Sequence, residues 1–183
     1  MNKLMATGGS ASGKSEWVEN QAALWSEQSG RPVIYIATAT VADGEFAERV
    51  RRHKERRPPQ WGLEETPADL PAVLESYSDR HAILLLDSLG TWLSGLMWRG
   101  GQEKGWDTGQ KTALHDEIGR LVRAVAEYKG ACLLVADEVG LGIVPENEMG
   151  RLFRDLNGLL NRRLAEVVDE AYLISCGLPV KLK

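Results

Sequence analysis

The chain has 183 residues, of which 43% are hydrophobic and 26% charged, and it carries a net charge of −4. These are the values of an ordinary globular protein with enough length for one domain over 1–183 around a single core. No apolar run approaches the roughly 20 residues of a membrane helix and MNKLMATGGS turns polar and glycine-rich too soon for a secretory signal, so a cytoplasmic protein is expected; the acidic balance argues against bulk nucleic-acid binding.

In chain order, short continuous apolar runs alternate with stretches of helical spacing. Strands are predicted at 3–7, 32–38, 81–87, 131–137 and 170–176, because their runs lack polar alternation, as in parallel strands covered on both faces. Helices are predicted at 14–28, 44–56, 67–78, 112–129 and 149–168. The glycine-rich stretch 98–110 reads as a loop, and 139–148 as an ordered connection. The alternation predicts a doubly wound, mostly parallel α/β sheet that binds its ligands outside the carboxyl ends of the strands.

The first strand runs into GGSASGKS, which satisfies G-x-x-x-x-G-K-[ST] with Gly8, Gly13, Lys14 and Ser15. A strand before and a helix after give this P-loop pattern its physical meaning, that of a RecA-like nucleotide-binding fold. The backbone N–H groups of Gly8, Gly9, Ser10, Ala11, Ser12 and Gly13 can wrap a phosphate chain at a helix N-terminus. Lys14 reaches the outer phosphates and Ser15 offers a hydroxyl to Mg²⁺. A second metal contact is expected from an acid at the end of another apolar strand. Asp87 and the pair Asp137 and Glu138 qualify, and Asp87 is the choice here, with helix capping as its structural alternative.

Residues 48–61, ERVRRHKERRPPQW, place His53 among six basic side chains. On a helix over 44–56, Arg49, Arg52, His53 and Arg56 share one face, with Phe46 and Val50 beside it. The bland reading is a solvated basic surface. The chemical one is a neutral imidazole, its protonation disfavoured by Arg52 and Lys54, that attacks phosphorus and forms a phosphoramidate. The arginines would then hold a triphosphate and stabilise the departing pyrophosphate.

GGSASGKS, YIATATVADGEFAERVRRHKERRPPQW, ILLLDSLGTWL and the long segment from DEVGLGIVPENEMG to the last residues together resemble the bifunctional adenosylcobinamide kinase / adenosylcobinamide-phosphate guanylyltransferase family. The likeness spans essentially the whole chain in order and spacing. It implies phosphorylation of adenosylcobinamide with ATP or GTP, then transfer of GMP from GTP to adenosylcobinamide phosphate through a GMP-histidine intermediate at the position of His53. It also implies a homotrimer. Guanine-nucleotide contacts by the same matching are residues 8–15, Tyr35, Ile36, Ala37, Lys54, Glu55, Arg56, Arg57, Glu65 and Asp87. Two positions depart from the pattern: Ala11 replaces an arginine of the loop, and Asp137 a common asparagine.

Two other readings use the same residues. One is a P-loop small-molecule kinase in which His53 only contacts phosphate, and the other is a RecA-like ATPase or nucleic-acid-binding module built on the basic helix. His81 and His115 lack clustered partners and read as structural. Trp92, Trp98 and Trp106 read as core, with stacking on a corrinoid as the alternative. Cys132 and Cys176 form no metal-ligand pattern and read as buried thiols.

Overall fold

A computed structural model describes residues 2–38, 51, 57–65, 69–78, 81–99 and 106–183. Its strands are β1 (Lys3–Gly8), β2 (Val33–Ala37), β3 (Gly62–Glu65), β4 (Ile83–Asp87), β5 (Ala131–Asp137), β6 (Glu170–Ser175) and β7 (Leu178–Lys181). The described helices are α1 (Lys14–Ser29), α2 (Leu70–Ser76), α3 (Leu89–Arg99), α4 (Thr108–Glu127) and α5 (Glu148–Val167). The helix expected at 44–56 lies outside the described residues except for Arg51, which is helical.

The seven strands form one sheet in the order β3-β2-β4-β5-β1-β6-β7. All neighbours are parallel except β6 and β7, which form an antiparallel hairpin. The continuous apolar runs follow from burial on both faces: Ile83, Leu84, Leu85 and Leu86 are all at most 1% exposed. One face takes Leu4, Ala6, Val33, Tyr35, Leu133 and Val135 and packs on Val18 and Ala22 of α1. The other takes Met5, Ile36, Leu84, Leu86 and Leu134 and packs on α2, α3, α4 and α5. Among the described residues no helix is long and apolar enough to cross a membrane.

Three elements were not predicted. β3, GLEE, is a short charged edge strand with half its residues exposed. β7, LPVK, is exposed throughout and carries Pro179, which an edge strand tolerates because no ladder bond is lost from its outer side. α3 is broken up in sequence by Gly90 and Gly95. Its start is fixed by Ser88, whose hydroxyl accepts the Thr91 amide at 3.2 Å. Capping beside β4 is therefore the work of Ser88, and Asp87 is left for another task.

Trp92 is in the core, whereas Trp98 is 65% exposed. The two cysteines also diverge. Cys132 is fully buried in β5, but the apolar run of β6 ends at Ser175 and leaves Cys176 exposed in the turn that follows, which corrects the expectation of two buried thiols. Burial pushes the Cys132 thiol up to about 12. A disulfide-exchange reagent at mildly alkaline pH should therefore titrate one thiol rapidly in the native protein and a second only after denaturation. Two fast thiols would contradict this packing.

Candidate active site

The carboxyl ends of the parallel strands lie along one edge, which brings Glu65, Ala37, Asp87, Asp137 and Gly8 into a row. β1 and β5 are adjacent, yet the chain leaves β1 for α1 on one face and β5 for α5 on the other. The crevice between two such diverging connections is where open α/β sheets bind ligands. Residues 8–15 fall in that crevice.

Gly8 stands opposite Asp137 in the β1–β5 ladder. A side chain at Gly8 would strike the Ile174 carbonyl oxygen at 2.5 Å, and Gly13, at φ +92, opens α1 in the left-handed region that favours glycine. Gly9, Ser10 and Ala11 are exposed at the loop's tip. Lys14 is buried, and its ammonium donates to the Gly9 carbonyl at 3.1 Å and pairs with Asp137 Oδ1 at 2.8 Å. The loop is thus wound around its own lysine. Ser15, one residue on, is half-buried at the start of α1.

Asp137 is held from three directions. Ser88 Oγ donates to its Oδ2 at 3.2 Å. Gly90 supplies the room for that oxygen, since a Cβ there would lie 2.3 Å from it. Asn157 and Asn161, one turn apart on α5, both donate Nδ2–H to the Asp137 carbonyl, at 2.7 and 3.0 Å. These two asparagines were missed by sequence reasoning. The signal was their i, i+4 spacing on an otherwise apolar helix face, where Asn157 is only 1% exposed. The connection over 139–148 is ordered by the same helix: Arg154 donates to the Gly140 carbonyl at 2.8 Å, and Asn147 Oδ1 accepts the Gly150 amide at 2.6 Å.

A second cluster sits further along the edge. The Tyr35 hydroxyl donates to Asp87 Oδ2 at 2.5 Å, and the Arg57 guanidinium lies 3.5 Å from the centroid of the Tyr35 ring. Burial, followed by the neighbouring Asp87 carboxylate, pushes the Tyr35 hydroxyl far above the usual tyrosine range, so it serves as a fixed donor. Nε and Nη1 of Arg57 are buried without a hydrogen-bond partner among the described residues. Buried donors of this kind call for an acceptor, and a nucleotide supplies several. Ile36 is wholly buried behind this cluster and Glu65 is exposed at its outer end. His53, Lys54, Glu55 and Arg56 lie outside the described residues.

Removal of the Asp137 carboxylate strips Lys14 of its charged partner. Asp137→Ala is expected to lower stability by about 2–3 kcal/mol, below the usual cost of breaking a buried pair because the Asp137 side chain is 28% exposed. In a metal-free buffer ADP should raise the melting temperature of that variant more than that of the parent, since phosphate restores the lost counter-charge. Equal shifts in the two proteins would contradict the coupling of Lys14 to Asp137.

Comparison with known proteins places the chain. Over 94% of its length it superposes on the KaiC-like protein PH0186 of Pyrococcus horikoshii, with a TM-score of 0.53 at 12% identity and 70% of that chain covered. The likeness establishes the RecA-like P-loop fold. The bifunctional adenosylcobalamin biosynthesis protein CobU of Salmonella typhimurium is 36% identical over 98% of this chain and 99% of its own. CobU of Escherichia coli is 34% identical over the same shares, and CobP of Pseudomonas aeruginosa 36% over 96% of this chain and 94% of its own. The family model for cobinamide kinase / cobinamide phosphate guanyltransferase matches residues 4–182, and the chain belongs to that family.

Proposed function

We propose that this chain, acting as one catalytic domain over 1–183, phosphorylates adenosylcobinamide and then transfers GMP from GTP to adenosylcobinamide phosphate. The observation that carries the reading is the buried Lys14 in a phosphate loop at the switch point of the sheet, within a chain that belongs to this family from end to end. Loop amides and Lys14 hold the phosphates, and Tyr35, Arg57, Glu65 and Asp87 lie along the edge where the nucleoside would extend.

In the transferase half, a neutral His53 nitrogen attacks the α-phosphorus of GTP. The N–P bond forms as the α–β phosphoanhydride breaks, and pyrophosphate leaves. A phosphate oxygen of adenosylcobinamide phosphate then attacks the same phosphorus, the N–P bond breaks, and the imidazole is regenerated. In the kinase half the substrate hydroxyl oxygen attacks the γ-phosphorus of ATP or GTP held by Lys14; the O–P bond forms as the β–γ phosphoanhydride breaks, ADP or GDP leaves, and the hydroxyl proton passes to solvent.

The donor set of Ser15, Asp87 and Asp137 is all hard oxygen, which fits Mg²⁺. No group of three or more histidine, cysteine or acidic side chains among the described residues forms a metal cage, so protein ligands alone do not saturate the ion. Asp137 already neutralises Lys14, so Ser15 and Asp87 are the residues we assign to the metal. Mg²⁺ held there neutralises phosphate charge. For the assembly we infer a homotrimer. Leu141, Ile143 and Val144 beside the site, and Leu178, Val180 and Leu182 at the β7 edge, are apolar and exposed in the single chain.

Incubation with GTP and Mg²⁺, without corrinoid, is expected to add GMP to the protein and release pyrophosphate. The adduct should be acid-labile and base-stable, as a phosphoramidate is. His53→Ala should lose the adduct and the guanylyltransferase reaction while keeping kinase turnover, and Lys14→Ala should lose both reactions. A folded His53→Ala protein that still acquires GMP would refute the covalent route. Asp87→Asn should weaken the Mg²⁺ dependence of turnover more than Asp137→Asn does; the reverse order would move the metal to Asp137.

A further inference from the structure

The phosphate loop has a second wall, supplied by the far end of the chain. β6 flanks β1 on the side opposite β5. The turn that follows it presses on the loop: Gly177 N–H donates to the Ser12 carbonyl at 2.9 Å, and a Cβ at Gly13 would lie 3.1 Å from Gly177 Cα. Ser12 N–H turns back to the Gly9 carbonyl at 3.3 Å, so the strand of loop that must wrap the phosphates is tied at one residue to both its own start and this turn.

The turn's shape is unusual for its residues. Ser175 pairs with Leu178, leaving Cys176 and Gly177 as a two-residue hairpin loop, and both have positive φ, +53° and +76°. That is the mirror-image turn that asparagine followed by glycine forms most readily. A cysteine there adopts a conformation uncommon for side-chain-bearing residues. Space is not the reason for glycine at 177, because a Cβ there would meet nothing within 4 Å; the constraint is the backbone conformation that aims its N–H at Ser12.

We propose that the Cys176–Gly177 turn is a positioning element of the nucleotide site, fixing the Ser12–Gly13 stretch so that occupancy of the loop and conformation of the turn are coupled. The inference rests on the reading of residues 8–15 as the nucleotide loop. Coupling is reciprocal: whatever the bound nucleotide contributes to holding the turn, a distorted turn subtracts from nucleotide affinity.

Cys176 is itself the reporter, since the chain's other cysteine is buried. Saturating ADP or GDP with Mg²⁺ is expected to slow modification of Cys176 by a thiol reagent about fivefold or more. Gly177→Ala, which has room for its methyl but not a favourable φ, should raise the nucleotide Kd about tenfold while leaving kcat at saturating nucleotide within about twofold. Cys176→Asn, which restores the favoured turn pair, should bind nucleotide as the parent does. A modification rate indifferent to saturating nucleotide, or a folded Gly177→Ala protein with the parent Kd, overturns the coupling; if Gly177→Ala does not fold, the modification rates decide. Calorimetry separates the two levels. Nucleotide binding that Lys14→Ala abolishes, with a turn that ignores it, sinks only this inference, whereas binding that survives Lys14→Ala sinks the reading of the loop.

Discussion

The site is organised by the need to keep one ammonium group charged out of water. The side chain of Lys14 is 5% exposed, and a cation so placed is tolerable only with close, fixed partners. Those partners are an anion from β5 and a carbonyl from the loop itself, and bringing them together requires the β1–β5 ladder to set Gly8 against Asp137. Everything behind that pair follows. Two asparagines pull on the Asp137 carbonyl, a serine holds its second oxygen, and a glycine in α3 leaves it room. Core and catalytic edge are therefore one set of contacts.

The same edge is rich in carboxylates. Asp87, Asp137, Glu138 and Glu65 all stand at strand ends, where a nucleotide would add more negative charge. Lys14, and Arg57 through donors left without a partner among the described residues, meet part of that charge. The rest is what the proposed divalent cation would offset. Tyr35, locked as a donor to Asp87, fixes the orientation of that carboxylate at the strand end.

The five predicted strands each matched an observed one within two residues at either end, because burial on both faces leaves an unbroken apolar run that no helix of that length shares. β3 and β7 escaped notice because edge strands are half solvated and follow no such run. α3 escaped because Gly90, which reads as a helix breaker, answers to a carboxylate 47 residues further along the chain. The phosphate loop was legible because its chemistry is local: eight consecutive residues supply it. The supports of Asp137 were not, since they are asparagines on a distant helix whose pairing with a strand end exists only after folding. Composition also could not separate Asp87 from Asp137. Tertiary geometry distinguishes them, one bonded to a tyrosine and the other to the lysine.

The strand order has a consequence for how the protein comes into being. β1 is made first, but its two neighbours are β5 and β6, contributed by residues 131–137 and 170–175. During synthesis the motif most easily read in the sequence therefore leaves the ribosome with neither flanking strand available, and its hydrogen-bonding edges wait until β6 has been made. Long-range parallel pairing of this kind is slow to close and exposes apolar strand in the interim. The loop thus takes its final shape only once β5 and β6 have followed it, although its own residues lie far upstream of both.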